Sequence, residues 1–115
     1  MDKFVTRRIA KKQPDLRLFD GRDCVCALKA LGEDNRVRII GLLMDAPLGV
    51  CEIARRLGST YYNVSKHLRI LREAGLLEVE KQGRERLYVV PESIRRSRTH
   101  MRVLDLGCCS FQFDQ

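Results

Sequence analysis

Five cysteines carry the most distinctive chemistry in this sequence, and they fall into three groups. Cys24 and Cys26 lie two residues apart, Cys51 stands alone, and Cys108 and Cys109 are adjacent. An odd number excludes complete pairing within one chain, and the N-terminus lacks the apolar stretch of a signal peptide. We therefore expect reduced thiols in a cytoplasmic protein rather than a disulfide framework. Such thiols can bind soft ions or take part in redox exchange.

The adjacent pair is the main candidate for binding an ion. Cys108 and Cys109 follow a glycine in a polar terminal segment, where they have little packing role. Adjacent cysteines can both reach one ion but form a strained disulfide ring, which favours ligation. A third thiol would complete a three-sulfur site suited to trivalent arsenic or antimony, or to a soft metal ion such as lead or cadmium. The bound ion would act as an inducer rather than an obligatory cofactor. We expect that thiol from Cys24 or Cys26, with Cys51 as the alternative.

Two of these positions also have a simpler interpretation. Cys51 fits a small buried apolar residue as well as it fits a ligand. Cys24 and Cys26 are expected on one helix, where residues two apart point about 200° apart, so they are not expected to bind one ion together.

Length and charge narrow the class of protein. The 115 residues fit one domain, and the net charge of +7 indicates a polyanionic partner. No apolar run reaches the 18 residues of a membrane span. No acid, base or nucleophile pair occurs in a pocket-forming context, so we do not expect an enzyme.

The hydrophobic pattern predicts a mainly α chain with one β-hairpin. Apolar residues recur at helical spacing in five segments, and residues 76–90 alternate around the turn Gln82-Gly83-Arg84-Glu85. The predicted helices span about 16–30, 34–46, 50–57, 61–74 and 92–106. We expect a basic N-terminal arm at 1–14, a winged helix-turn-helix domain at 15–106 and a Cys-Cys tail at 107–115.

This order of elements predicts a module that binds double-stranded DNA. The second helix of a helix-turn-helix lies in the major groove, so its outer face must be polar or basic. The fourth helix and the basic hairpin meet that requirement, although either surface alone could simply be solvated. His67, next to Leu68, is expected to pack or to contact phosphate. The predicted DNA-binding residues are Ser59, Thr60, Tyr61, Tyr62, Asn63, Ser65, Lys66, Arg69, Lys81, Arg84 and Arg86.

Several stretches resemble the ArsR–SmtB family of metal- and metalloid-responsive repressors. The most specific runs from Val64-Ser65-Lys66-His67-Leu68 to Leu71-Arg72-Glu73-Ala74-Gly75-Leu76. The segments at 31–40 and 50–58, and the hairpin at 81–88, are also similar to that family. The resemblance covers about residues 24–92.

The resemblance implies a homodimer, joined mainly by its first and last helices, that represses an operon until an inducer binds. Arsenic repressors of this family carry a Cys-x-Cys pair where this chain has Gly49-Val50-Cys51, so one thiol is missing. The family's zinc ligands on the last helix are also missing, since residues 92–106 offer only His100 and Asp105.

Two other functions fit the same sequence. The chain could be a redox or reactive-sulfur-sensing repressor, in which two cysteines form a bridge. It could also be a winged-helix module that binds protein or RNA, with incidental cysteines.

Overall fold

The four predicted helices of the DNA-binding module and the hairpin are present, and three further strands follow them. The computed structural model describes residues 21–98 and 101–114, so the predicted basic arm lies outside the described residues. The helices are α1 (Gly21–Leu31), α2 (Asp34–Leu43), α3 (Val50–Leu57) and α4 (Tyr61–Glu73). The strands are β1 (Glu78–Gln82), β2 (Glu85–Val89), β3 (Arg95–Arg98), β4 (Met101–Asp105) and β5 (Ser110–Asp114), with a 3-10 turn at Glu92–Ile94.

The caps that separate the helices are readable in the sequence. Gly58 ends α3 in the left-handed conformation, at φ 66°, which glycine adopts without a Cβ clash. Thr60 caps α4, and its side chain accepts a hydrogen bond from the Asn63 backbone N–H at 3.1 Å. At the start of α2 the cap is Glu33, whose side chain accepts a hydrogen bond from the Arg36 N–H, and Asp34 is already helical. No helix within the described ranges is both long and apolar enough to span a membrane.

One hydrophobic core joins the helices to the strands. The inner faces of α1 to α4 meet in it, and the last strands close it from one side. Its largest fully buried side chains are Ile39, Ile40, Ile53, Val64, Leu68, Leu71, Leu76, Val90, Ile94, Leu104 and Leu106.

The β1–β2 hairpin is the predicted wing. Its strands pair antiparallel from Glu78↔Val89 to Gln82↔Glu85, which leaves Gly83 and Arg84 at the tip. Leu48, in the loop before α3, exchanges two backbone hydrogen bonds with Tyr88, of 2.8 and 3.2 Å. The wing is therefore fixed to the start of the helix-turn-helix.

The predicted last helix at 92–106 is wrong, and so is a dimer seam built on it. Residues 95–98 form β3 and residues 101–105 form β4, and with β5 they make a three-stranded antiparallel sheet in the order β3-β4-β5. Ile94, Met101 and Leu104 fit a helical spacing, but the buried pair Leu104 and Leu106 has the two-residue period of a strand. Leu104 is fully buried in its own chain, so it is not available to a partner.

The segment expected as a Cys-Cys tail belongs to the same sheet. β5 pairs with β4 from Met101↔Asp114 to Asp105↔Ser110. The Leu106 N–H donates to the Cys109 carbonyl at 2.9 Å and closes the connecting turn, in which Gly107 has φ 90°. Phe113 packs at Gly41 of α2, where an added Cβ would lie 3.3 Å from its ring. The domain boundary expected after residue 106 therefore falls inside a hairpin.

Candidate functional site

Three thiols from two distant parts of the chain meet between α1 and the β4–β5 turn. Cys24 lies on the buried face of α1, and Cys108 and Cys109 come from the turn. The three Sγ atoms all lie within 4.8 Å of one another, and those of Cys108 and Cys109 are 3.9 Å apart. We call Cys24, Cys108 and Cys109 the thiol cluster.

The thiol cluster can exist in two states with different chemistry. In this structure the Cys24 and Cys108 sulfur atoms are bonded as a disulfide, with their Cα atoms 6.6 Å apart. When reduced, the same residues offer three sulfur ligands to one ion. Ligation by all three thiolates and the disulfide exclude each other, because each state uses the sulfurs of Cys24 and Cys108.

The other two cysteines lie away from the thiol cluster. Cys26 and Cys51 are both free and exposed. Cys24 is buried while Cys26 is exposed, in keeping with the expected divergence of residues two apart on one helix. The structure thus brings one first-helix thiol to the Cys108-Cys109 pair, and leaves Cys51 at the start of α3.

The predicted DNA-binding residues lie in the turn before α4, on the outer surface of α4 and on the wing. Val64, Leu68 and Leu71 face the core, so the opposite side of α4 is turned to solvent. Tyr61 and Tyr62 are 61% and 71% exposed, although aromatic side chains are usually covered. All the predicted residues are exposed except Ser59 and Ser65, which are half-buried. The Thr60 hydroxyl is engaged in the cap of α4.

A groove runs between α4, the wing and the start of α3. Its volume is about 840 Å³, and its lining includes Tyr61, Ser65, Arg84 and Arg86. On its wing side Arg84 and Arg86 outnumber the acidic Glu85, so this side carries a net positive charge. Its position beside the exposed face of α4 suits a phosphate backbone that leaves the major groove.

A charge cluster on α3 borders the groove. Arg55 and Arg56 donate hydrogen bonds to Glu52, with nitrogen–oxygen distances between 2.5 and 3.1 Å. The hydrogen bond from Arg55, together with the one from Arg56, lowers the pKa of Glu52 to about 2. The bond to Glu52 in turn raises the pKa of Arg55. Sequence reasoning missed this cluster, although a glutamate three and four residues before arginines is its signal.

A second contact missed from the sequence joins α2 to α4. The Arg36 Nη1 atom lies 3.3 Å from Nδ1 of His67, and its Nε donates to the Ala30 carbonyl at 2.5 Å. No periodicity marks this pair, because the two residues are 31 positions apart.

Comparison with known proteins places this fold and surface in a family. Residues 33–79 match the bacterial regulatory protein, arsR family. The chain is 31% identical over 78 residues to a cadmium resistance transcriptional regulatory protein CadC homolog of Staphylococcus aureus, covering 67% of this chain and 64% of that protein. It is 39% identical over 57 residues to the arsenical resistance operon repressor of Escherichia coli, 49% of each chain.

A solved structure agrees with these sequence matches. The homodimeric winged helix-turn-helix DNA-binding domain Mb0332 of Mycobacterium bovis, described as a possible ArsR-family transcriptional regulator, is 28% identical to this chain. It matches with a TM-score of 0.58, over 60% of this chain and 64% of that one. The chain spans less than two thirds of the length of the two curated relatives, 64% and 49%. Fold, helix-turn-helix sequence and relatives agree, and the chain belongs to the arsR family of bacterial regulatory proteins.

Proposed function

We propose that the chain is a homodimeric repressor that binds duplex operator DNA and is released by trivalent arsenic or antimony bound at Cys24, Cys108 and Cys109. The thiol cluster is the observation that carries the inducer part. Its members come from α1 and from a turn 84 residues later, yet their sulfurs lie within 4.8 Å of one another. Thiolates select soft ions, and three of them at one point match a trivalent metalloid.

The DNA part of the proposal is supported by α4 and the wing. The B-DNA major groove is about 12 Å wide and admits one helix, which must present polar atoms to the base edges. In that arrangement the exposed face of α4 presents Tyr62, Lys66 and Arg69 to the major groove of the DNA. Arg84 and Arg86 extend the basic surface along the wing. A regulator of this type works where operator DNA is, and we expect it in the cytoplasm as a DNA-binding protein rather than an enzyme.

The dimer part is supported by the outer face of α1. Val25 and Leu28 are 50% and 44% exposed, and they lie on the side of α1 turned away from the core. Two apolar side chains together on one helix face suit a second copy of the chain. The M. bovis relative is described as homodimeric.

Release of DNA needs the ion to distinguish two states of the dimer. An ion held by Cys24 and the Cys108-Cys109 turn fixes the β4–β5 hairpin against α1. Because α1 also carries the outer apolar face, this changes the spacing of the two recognition helices. An ion that bound both states equally would release nothing, so the loaded cluster must fit the non-binding state better.

The decisive experiment measures operator release by several ligands in parallel, namely arsenite, antimonite, cadmium and zinc. Cys24→Ser, Cys108→Ser and Cys109→Ser are expected to bind operator as the wild type does, yet to stay bound when arsenite is added. Cys26→Ser and Cys51→Ser are matched controls, since both thiols are free and exposed. They should release normally. Normal release by all three cluster variants would refute the inducer site, and loss of release in Cys51→Ser alone would move it to α3.

The bond between Cys24 and Cys108 favours a second candidate, a redox or reactive-sulfur-sensing repressor. Two thiols lose two electrons and two protons as the disulfide forms, and a polysulfide accepts them by releasing sulfide. In that case polysulfide releases operator from Cys109→Ser but not from Cys24→Ser. Arsenite sensing requires all three thiols, so the Cys109→Ser variant separates the two functions.

A further inference from the structure

Arg36 lies where three helices of the fold meet. Its backbone N–H is held by the Glu33 carboxylate at 3.1 Å, at the start of α2. Its Nε donates to the Ala30 carbonyl at 2.5 Å, in the last turn of α1. Its Nη1 lies 3.3 Å from Nδ1 of His67, on α4. One half-buried side chain therefore contacts the helix that carries Cys24 and the helix that faces DNA.

The chemistry of these contacts suits arginine and no other residue. A guanidinium only donates hydrogen bonds, so in this contact Nδ1 of His67 is the acceptor. The last carbonyls of a helix have no partner within it, and a cation there is favoured by the helix dipole. Lysine, with a single nitrogen, lacks the planar fork that serves Ala30 and His67 together.

We infer that Arg36 is a positioning residue that sets the recognition helix α4 relative to α1, and thereby transmits the state of the thiol cluster to DNA. The transmission part rests on the proposed function. Cys24 and Ala30 lie on the same 11-residue helix, so a shift of α1 at the thiol cluster also shifts the Ala30 carbonyl. Arg36 connects that carbonyl to α4.

His67 acts through position and not through contact with DNA. On a helix it points about 200° away from Ser65, two residues earlier, which lines the groove. His67 is half-buried against Arg36. Replacing it therefore leaves the groove side chains in place and removes only the link to α2 and α1.

The first test is a double-mutant cycle in operator affinity without any inducer. His67→Ala should weaken operator binding by about tenfold, and Arg36→Met by at least as much, because it also removes the bond to Ala30. The double variant should be no weaker than Arg36→Met, because the contact with His67 is already lost there. His67→Asn keeps an acceptor near the position of Nδ1 and should restore affinity. A thermal unfolding curve for each variant serves as the control that the protein is folded. Additive losses in affinity, or no loss in folded Arg36→Met, would overturn the positioning role.

The second test measures how far arsenite changes operator affinity. In Arg36→Met, arsenite should still titrate the thiol cluster, but the ratio of affinities without and with arsenite should shrink at least about fivefold. Arg38→Met is the matched control, because Arg38 lies on the same helix and pairs only with exposed Asp34 among the described contacts. It should keep the wild-type ratio.

The two tests separate this inference from the proposed function. If arsenite fails to release operator DNA from the wild-type protein, the proposed inducer is wrong, and so is the transmission of its signal through Arg36. The double-mutant cycle without inducer still decides whether Arg36 positions α4. If the wild type is released and Arg36→Met keeps the full arsenite ratio, transmission through Arg36 is refuted.

Discussion

Cys24, Cys108 and Cys109 differ from Cys26 and Cys51 in their surroundings rather than in their chemistry. Cys24 is buried beside the β4–β5 turn, so an ion bound to its thiol is also within reach of the thiols of Cys108 and Cys109. Exposed Cys26 and Cys51 offer one thiol each, and one thiolate does not complete a site for a trivalent metalloid. Selectivity for ion size and charge therefore depends on how the turn is held.

Side chains of α4 are proposed to contact bases, and those of the wing are proposed to contact phosphates. Ser65→Ala should weaken operator binding by about 1–3 kcal/mol more than binding to a scrambled duplex, as expected when a base contact is lost. Arg84→Ala should weaken binding to both duplexes to a similar degree. It should also reduce the magnitude of the slope of log affinity against log salt by about two, since each subunit of the dimer loses one phosphate contact. Fluorescence titrations of both duplexes at several salt concentrations measure these changes.

The same titrations test whether the protein is a DNA-binding repressor at all. If Ser65→Ala leaves the ratio of operator affinity to scrambled-duplex affinity unchanged, α4 does not lie in the DNA major groove as proposed. Equal affinity of the wild type for single-stranded RNA and duplex operator would instead favour an RNA-binding module. The groove between Ser65 and Arg84 supports duplex DNA, because it joins a polar helix face to a basic wing.

At the scale of single elements, α4 depends on its cap. Thr60→Ala removes the acceptor for the Asn63 N–H and should lower the free energy of unfolding by about 0.5–2 kcal/mol. Thr60→Ser keeps the hydroxyl and should stay close to the wild type. Urea unfolding followed by circular dichroism gives both values. A Thr60→Ala variant as stable as the wild type would show that the cap does not stabilise the fold, and the hydroxyl would then be free to serve DNA.

The elements that could be predicted from the sequence are those with local signals. Gly58 and Thr60 mark the turn between α3 and α4, and alternation around Gly83 marks the wing. The last segment failed because Ile94, Met101 and Leu104 also fit a helix, and a short apolar run does not settle the period. The alternation of Phe111 and Phe113 around a polar residue was the missing signal, since it provides a partner strand for β4.

The thiol cluster was predictable only in part, for a related reason. The residue types predict that these thiols bind a soft ion. The family resemblance predicts that Cys108 and Cys109 lie close to the first helix. Which first-helix thiol takes part depends on the face of α1 that is buried, and this face is set by contacts with distant strands. The Arg36–His67 contact left no trace in the sequence, because both residues are also ordinary on a solvated helix.

At the scale of the whole molecule, replacing a last helix by a sheet changes where a dimer can form. Leu104 lies in the core of its own chain, so a charge there would unfold the protein instead of separating subunits. Among the described residues, α1 keeps the exposed apolar pair Val25 and Leu28, whereas the apolar residues of β4 and β5 are buried or half-buried. The predicted seam is thus reduced to its α1 half.

The α1 half of the seam can be tested with a charge placed on its exposed apolar face. Val25→Asp or Leu28→Asp should yield a folded monomer with weak operator binding, because a carboxylate buried between two copies of α1 costs several kcal/mol. Tyr61→Asp is the matched control, since it places the same charge on another exposed apolar residue, 61% exposed on α4. It should lose DNA affinity and remain dimeric. Sedimentation velocity at micromolar concentration, with circular dichroism to check folding, distinguishes these outcomes. A monomeric wild type, or Val25 and Leu28 variants that stay dimeric, would show that α1 does not form the interface.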